Sequence, residues 1–277
     1  MAKSKIEWTE KVWNPLTGCN KVGLGCKNCY AEIMSKRLKA MGRPEYQNAV
    51  DDGGHWTGQI TLLEDRLADP LKWKKSARIF VNSMSDLFHE DVPSAFIQRV
   101  VGVMCFANQH TYQILTKRYA RPATELNQQD ASDHILIGFS VCNQDDANKA
   151  LASVRAVHQL GWRTWVSYEP ALEIVNWSGW EFLDWMVCGG ESGSKARPMH
   201  PLWARSAREF CQGSHIPFLF KQWGEWGPQA QMSLPEKWTY KTKPIRAGDD
   251  ILVKAGRALT GRLLDGVEWN EYPKVGV

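Results

Sequence analysis

No stretch of the sequence approaches eighteen consecutive apolar residues, and its opening, "MAKSKIEWTEKVW", is polar. A bilayer span needs about 20 apolar residues, and a secretory leader needs an apolar run of roughly 7–15. Both absences point to a cytoplasmic chain with no membrane partner. None of the 7 histidines stands in H-E-x-x-H or a comparable metal spacing. The Gly-rich "GGESG" (189–193) lacks the following G-K-[ST] of a phosphate loop. Internal repeats and low-complexity segments are absent. The 7 cysteines are an odd number without a leader, which argues against a disulfide framework and for a reducing compartment. A net charge of +4 falls short of a strong nucleic-acid signature, and 23% charged residues with 43% hydrophobic ones argue against gross disorder. The 14 tryptophans are an excess whose ordinary role is to fill cores.

What is present alternates. Apolar runs at 78–83 ("RIFVNS"), 111–117, 134–141, 163–170, 184–190 and 216–223 read as strands. Stretches with helical spacing fall between them, at 95–107, 144–161 and 200–214. With one strand ahead of residue 18 the set comes to about seven, and repeated strand–helix–strand order implies a parallel sheet flanked by helices. The expected class is α/β, a full or partial TIM-type (β/α) barrel with a small C-terminal appendage. Residues 1–227 would form the barrel, with a cysteine loop at 18–32 and an irregular insertion near 42–76; residues 228–277 would form the appendage. Polar residues stand where the strands end, in "NSMSD", "TKR", "SVCNQ", "YEP", "GGESG" and "KQWGEW". Parallel α/β folds bind ligands outside those ends.

The segment "GCNKVGLGCKNCYAE" sets three thiols, Cys19, Cys26 and Cys29, just ahead of a helix-like stretch. A structural zinc needs four ligands, usually in two pairs, and no clean fourth lies nearby. A redox C-x-x-C pair leaves Cys19 unexplained. A four-iron, four-sulfur cluster on three thiolates leaves one iron open to a small chelating ligand, and glycines at 18, 23 and 25 let the loop wrap closely.

This trio resembles the cluster loop of the radical S-adenosylmethionine (radical SAM) enzymes, although the spacing here is C-x6-C-x2-C where that superfamily usually shows C-x3-C-x2-C. "FVNSMSDLF", "QILTKR" and "FSV" resemble strand ends of its spore photoproduct lyase-like branch. The motifs W-N-P-x-x-G-C, "NSMSDLFHE", "TKR", "GGESG", "KQWGEW" and "GRLLDG-x-EWNE" resemble a phage-associated "three-Cys-motif" family of predicted radical SAM proteins across nearly the whole chain. The resemblance implies a [4Fe-4S] cluster held by Cys19, Cys26 and Cys29, with S-adenosyl-L-methionine on the fourth iron. It further implies reductive cleavage to a 5′-deoxyadenosyl radical and a one-electron reductant of flavodoxin or ferredoxin type. The host would be a bacterial or phage-infected cell. Asn82, Ser83, Ser85 and Asp86 would meet the amino group of SAM. Ser140 and Asn143 would meet its carboxylate or ribose, and Arg155 its carboxylate.

Facing the substrate, Lys117 and Glu169 are candidate catalytic groups. Cys142 is either a hydrogen donor or a buried structural thiol. Arg118, Glu191, Arg197, Lys221 and Gln222 are candidates for holding a nucleic-acid base or nucleotide to be repaired or modified. The opposing reading makes these charged residues ion pairs between neighbouring strand ends, for example Lys117 with Glu169. Two other functions stay open: a zinc-stabilised nucleic-acid-binding protein without catalysis, and an Fe–S redox protein without a SAM pocket.

Overall fold

The computed structural model describes residues 6–274, and its fold is α/β, built on one seven-stranded sheet. In chain order the first strands are β1 (Lys11–Trp13), the short β2 (Leu16–Thr17) and β3 (Thr61–Leu62), and β4 (Arg78–Val81). After them come β5 (Thr111–Thr116), β6 (Ile135–Ser140), β7 (Arg163–Tyr168), β8 (Trp185–Gly189) and β9 (Phe218–Gln222). Seven of them form one sheet in the order β1-β4-β5-β6-β7-β8-β9, so strands of the sheet neighbour each other as they follow in sequence. The registered pairs are parallel, for example Ile79 against Tyr112 and Trp165 against Trp185. Every residue of β6, "ILIGFS", is buried, as a strand covered on both faces requires. Among the described residues no helix is long and apolar enough to cross a membrane.

The helices are α1 (Tyr30–Ala40), α2 (Ser94–Phe106), α3 (Arg121–Glu125), α4 (Gln144–Gln159) and α5 (Pro201–Gly213). Each long one turns an apolar face inward. On α2 this face is Phe96, Ile97, Val100, Val101 and Met104. Along α4, Ala147, Ala150, Val154 and Val157 are buried, and this register leaves Arg155 exposed. Helix α5 begins at Pro201, where a missing N–H costs nothing, and His200 Nδ1 caps it by accepting from the Leu202 N–H at 3.1 Å.

The chain divides into two compact units. The described parts of the first are residues 6–139 and 152–164, and the second comprises 140–151 and 165–274. In the first unit, residues 42–76 run through single 3-10 turns at Pro44–Tyr46, Glu64–Arg66 and Pro70–Lys72 around the β2–β3 pair. In the second, β10 (Trp226–Pro228), β11 (Ile245–Ala247) and β12 (Asp250–Lys254) form an antiparallel sheet in the order β10-β12-β11. A turn of helix, α6 (Arg257–Thr260), and a hairpin of β13 (Leu263–Leu264) and β14 (Val267–Glu268) follow. The chain then returns to β9: Phe220 N donates to Trp269 O at 3.0 Å, and Leu219 bridges to Asn270. This return covers the outer edge of β9, which would otherwise offer unpaired backbone groups. Ten of the 14 tryptophans are buried, so the excess goes mainly into packing.

Candidate functional site

In the first unit the cysteine loop lies against the loop that follows β4. Gly18 makes a parallel bridge to Ser85, and Ser85 Oγ donates to Leu16 O at 3.0 Å. Tyr30, the residue after Cys29, donates its hydroxyl to Ser83 O at 2.7 Å. Gly18 has φ +96°, and a Cβ there would run into the Gln59 carbonyl oxygen, so only glycine admits the chain at this crossing. Cys19, Cys26 and Cys29 are all unpaired thiols and all half-buried. Burial first, and then the Asp86 carboxylate, push the Cys19 thiol up to about 12, with Arg118 pulling the other way and the Cys29 and Cys26 thiols adding to the rise. Binding a metal would have to displace that proton. Among the described residues no three His, Cys, Asp or Glu side chains are gathered closely enough to hold a single metal ion.

Cys19 is held from behind. Arg118 donates from Nε to Glu90 Oε2 at 2.8 Å, from Nη1 to Asp86 Oδ2 at 3.1 Å and from Nη2 to Asn20 Oδ1, and its Nη1 stands 3.9 Å from Cys19 Sγ. Asn20 closes the ring by donating to Glu90 Oε1 at 3.0 Å. Asp86 is buried and takes further donors from Thr116 Oγ1 at 2.8 Å, Phe88 N at 3.0 Å and Lys117 N at 3.3 Å. Its carboxylate is therefore engaged inside the protein, holding Arg118 and the ends of β4 and β5 together. Burial works against the Glu90 carboxyl, but the bonds from Arg118 and Asn20 bring it down to about 2. A groove of about 270 Å³ lined by Phe88, Glu90, Arg118, Tyr119, Ala120 and Arg121 opens beside this tether, so solvent reaches it. Nothing in the composition pointed to Asn20, Glu90 or Thr116; the available signal was their position inside the two motifs "GCN" and "LFHED" and at the end of β5.

Asn82 is the exceptional residue of this unit. It sits at the end of β4 with φ +63°, in the left-handed region, fixed by its N–H donating to Trp13 O at 2.8 Å. Its side chain is buried, and neither Oδ1 nor Nδ2 has a hydrogen-bond partner. An unpaired buried amide costs about 1–3 kcal/mol per group, and such strain concentrates at ligand sites.

Most polar strand ends of the second unit are closed on one another. Glu169 Oε1 pairs with Lys221 Nζ at 3.0 Å, and its Oε2 accepts from Ser167 Oγ at 3.1 Å. Buried Glu191 takes Arg197 in a two-pronged bond, from Nη2 at 2.6 Å and Nε at 3.0 Å, and also accepts the Arg197 N–H at 2.8 Å. Asn143 Oδ1 accepts from Asp146 N at 2.8 Å, capping α4. Cys142 is buried, with Sγ donating to Glu169 O at 3.6 Å. Ser140 is fully buried at the end of β6. Gln222 donates weakly to Gly190 O at 3.4 Å, and its Oε1 is buried without a partner. Of the expected residues, the structure brings Cys19, Cys26, Cys29, Asn82, Ser83, Ser85, Asp86, Lys117 and Arg118 together in the first unit. Cys142, Glu169, Lys221 and Gln222 meet in the second, with Glu191 and Arg197 as a pair. Arg155 stands apart, exposed in the middle of α4.

Residues 3–273 match the family described as "Protein of unknown function (DUF5131)", and the chain belongs to that family. No curated protein matches it. Three solved structures of spore photoproduct lyase are similar to it. A cysteine-to-serine mutant is 16% identical, with TM-score 0.48 over 92% of this chain and 71% of that one. A double mutant with bound AdoMet and dinucleoside spore photoproduct is 15% identical, with TM-score 0.45 over 88% and 68%. The enzyme complexed with dinucleoside spore photoproduct is 16% identical, with TM-score 0.44 over 87% and 67%.

Proposed function

We propose that this member of the DUF5131 family is a radical SAM enzyme acting on a nucleic-acid base or nucleotide. The observation that carries the reading is the buried, partnerless amide of Asn82, held in a left-handed turn beside three half-buried thiols. Cys19, Cys26 and Cys29 would hold three irons of a [4Fe-4S] cluster, and the donor set fits it: three free thiols on one glycine-rich loop. When bound, cluster and SAM supply a one-electron reductive cleavage that yields a 5′-deoxyadenosyl radical.

The chain's own part is to bind and orient. Asn82 offers an acceptor and a donor side by side, matching the ammonium and carboxylate of a methionine moiety. Its backbone is fixed before any ligand arrives, so little ordering cost remains. Ser83, whose carbonyl takes the Tyr30 hydroxyl, ties the same loop to the third cysteine. Asp86 orients Arg118, and Arg118 with Glu90 fixes Asn20 and so the position of Cys19. In the second unit, Gln222 has an amide oxygen left to offer a substrate, while the Glu169–Lys221 and Glu191–Arg197 pairs hold their strand ends in place.

The test is anaerobic purification, reconstitution with iron and sulfide, and spectra with and without SAM. The expected result is a brown protein whose reduced-cluster EPR signal changes with SAM and which releases 5′-deoxyadenosine. Cys26→Ala abolishes iron uptake, whereas Cys211→Ala, deep in the second unit, leaves it intact. Zinc at one per chain with no visible absorbance overturns the reading.

A further inference from the structure

Arg118 has more to give than its oxygen partners take. Its Nε donates to Glu90, Nη1 to Asp86 and Nη2 to Asn20. A guanidinium carries more N–H groups than these three acceptors use, all fixed in one plane. The Nη1 that serves Asp86 at 3.1 Å also reaches Cys19 Sγ, at 3.9 Å. The Arg118 side chain is 9% exposed, so water screens its charge little at that sulfur. Burial works against the charge, but Asp86 and Glu90 keep Arg118 protonated.

The other charges nearby are of both signs. Asp86 is buried, while the Glu90 side chain is 57% exposed. His89 stands beside Glu90, with Nε2 3.9 Å from Oε1, and burial, then Arg118, hold its imidazole below the usual range. Lys21, two residues from Cys19, is spent on Glu32 at 2.7 Å. Burial, and then Asp86, disfavour a thiolate at Cys19, and Arg118 is the group that favours one. The contact also lies at the point where the cysteine spacing is unusual. Asn20 opens the six-residue gap before Cys26 and is clamped from both sides, by Arg118 Nη2 and by Glu90 Oε1 at 3.0 Å. Beyond it Lys21, Val22, Gly23 and Leu24 are all exposed. Arg118 therefore fixes the Cys19 end of the loop and faces its sulfur at the same time.

We infer that Arg118, through its N–H contact and its charge at the Cys19 sulfur, is a positioning residue that sets the reduction potential of the group held by the three cysteines. The inference rests on the cluster reading, because Cys19 is proposed to hold one of the irons. Reduction adds one negative charge to that group, and no bond forms or breaks. A cation and an N–H donor at a ligating sulfur stabilise the added charge and raise the potential, whereas a carboxylate nearby lowers it. Arg118 and Glu90 thus pull in opposite directions. Arg118 pulls harder, because it touches the sulfur and is the less exposed of the two. A purely structural tether gives no such opposition of sign.

The test is a dithionite titration, with redox mediators and without SAM, of the protein reconstituted with iron and sulfide, followed by EPR. Arg118→Gln should lower the ratio of reduced to oxidised cluster at a fixed potential about tenfold, a midpoint drop of roughly 59 mV for a one-electron couple. Arg118→Lys keeps the charge and should recover most of that drop. Glu90→Gln should raise the same ratio about threefold, the smaller effect of an exposed charge. Iron content measured on each variant separates assembly from potential. Where Arg118→Gln takes up no iron, the Arg118→Lys and Glu90→Gln midpoints decide. Midpoints unchanged in the loaded variants, or a fall in Glu90→Gln, overturn the inference. So does an equal drop in Arg118→Lys and Arg118→Gln, which would leave Arg118 only holding the loop. A wild type that takes up no iron overturns the cluster reading and the inference with it, whereas a wild type that loads and is matched by its variants overturns the inference alone.

Discussion

The strand-end loops of the two units are made from the same kinds of residue and are used differently. Those of the second unit are mostly closed: Glu191 is locked to Arg197, Glu169 to Lys221, and Asn143 to its own helix, and the Gln222 amide oxygen is buried without a partner. Those of the first unit are closed at the back and open at the front. Asp86, Arg118, Glu90 and Asn20 satisfy each other, while the Asn82 amide has no partner. A charge at a strand end therefore says little until its partner is known. Groups left unpartnered in a buried place are the better guide to a ligand, because folding alone would select against them.

The contrast can be broken from either side. Glu191→Ala removes one half of a mostly buried, two-pronged pair, so unfolding should become easier by about 3 kcal/mol with iron uptake unchanged. Urea denaturation and iron analysis on the same preparation check both halves; a loss of iron with stability intact would move the pair into the functional class. Asn82→Gly keeps the left-handed turn and deletes the amide. Stability should hold within about 0.5 kcal/mol or improve, since no hydrogen bond is lost. SAM affinity of the reconstituted protein, measured by calorimetry, should fall at least about tenfold. Equal SAM affinity would return Asn82 to a purely structural role.

The smallest effect is in acid. Glu90 is held below its ordinary value of 4.5, at about 2, so its share of stability is present above pH 4.5 and is lost as the pH falls toward 2. The urea midpoint should therefore drop over that window in the wild type and drop less in Glu90→Gln. Glu90 is largely exposed, which keeps the difference modest.

Much of the sheet was legible beforehand. The runs at 78–83, 111–117, 134–141, 163–170, 184–190 and 216–223 each contain one strand of the sheet, because a strand buried on both faces must be continuously apolar. Helical spacing gave α2, α4 and α5 to within a residue or two. The cysteine trio and "NSMSD" were legible as motifs. The tether was not. That Asp86 pairs with Arg118, and that Glu169 pairs with Lys221, depends on contacts between residues 32 and 52 positions apart, which local pattern does not encode. Arg155 illustrates the converse: its neighbours Val154 and Val157 set the helix register, and that register leaves it exposed.

By itself the sequence determined the strand–helix alternation, the three thiols on one glycine-bearing loop and the family to which the chain belongs. These are local or compositional properties, fixed by side-chain periodicity and by the steric freedom of glycine. Only the tertiary structure decided which polar residues are already taken. It put Asn82 in a buried left-handed turn with its amide unpaired, closed Glu191 on Arg197, and turned the long Cys19–Cys26 gap outward with Val22 and Leu24 exposed. The reason is physical: a hydrogen bond or an ion pair belongs to two residues at once, and the second is chosen by packing.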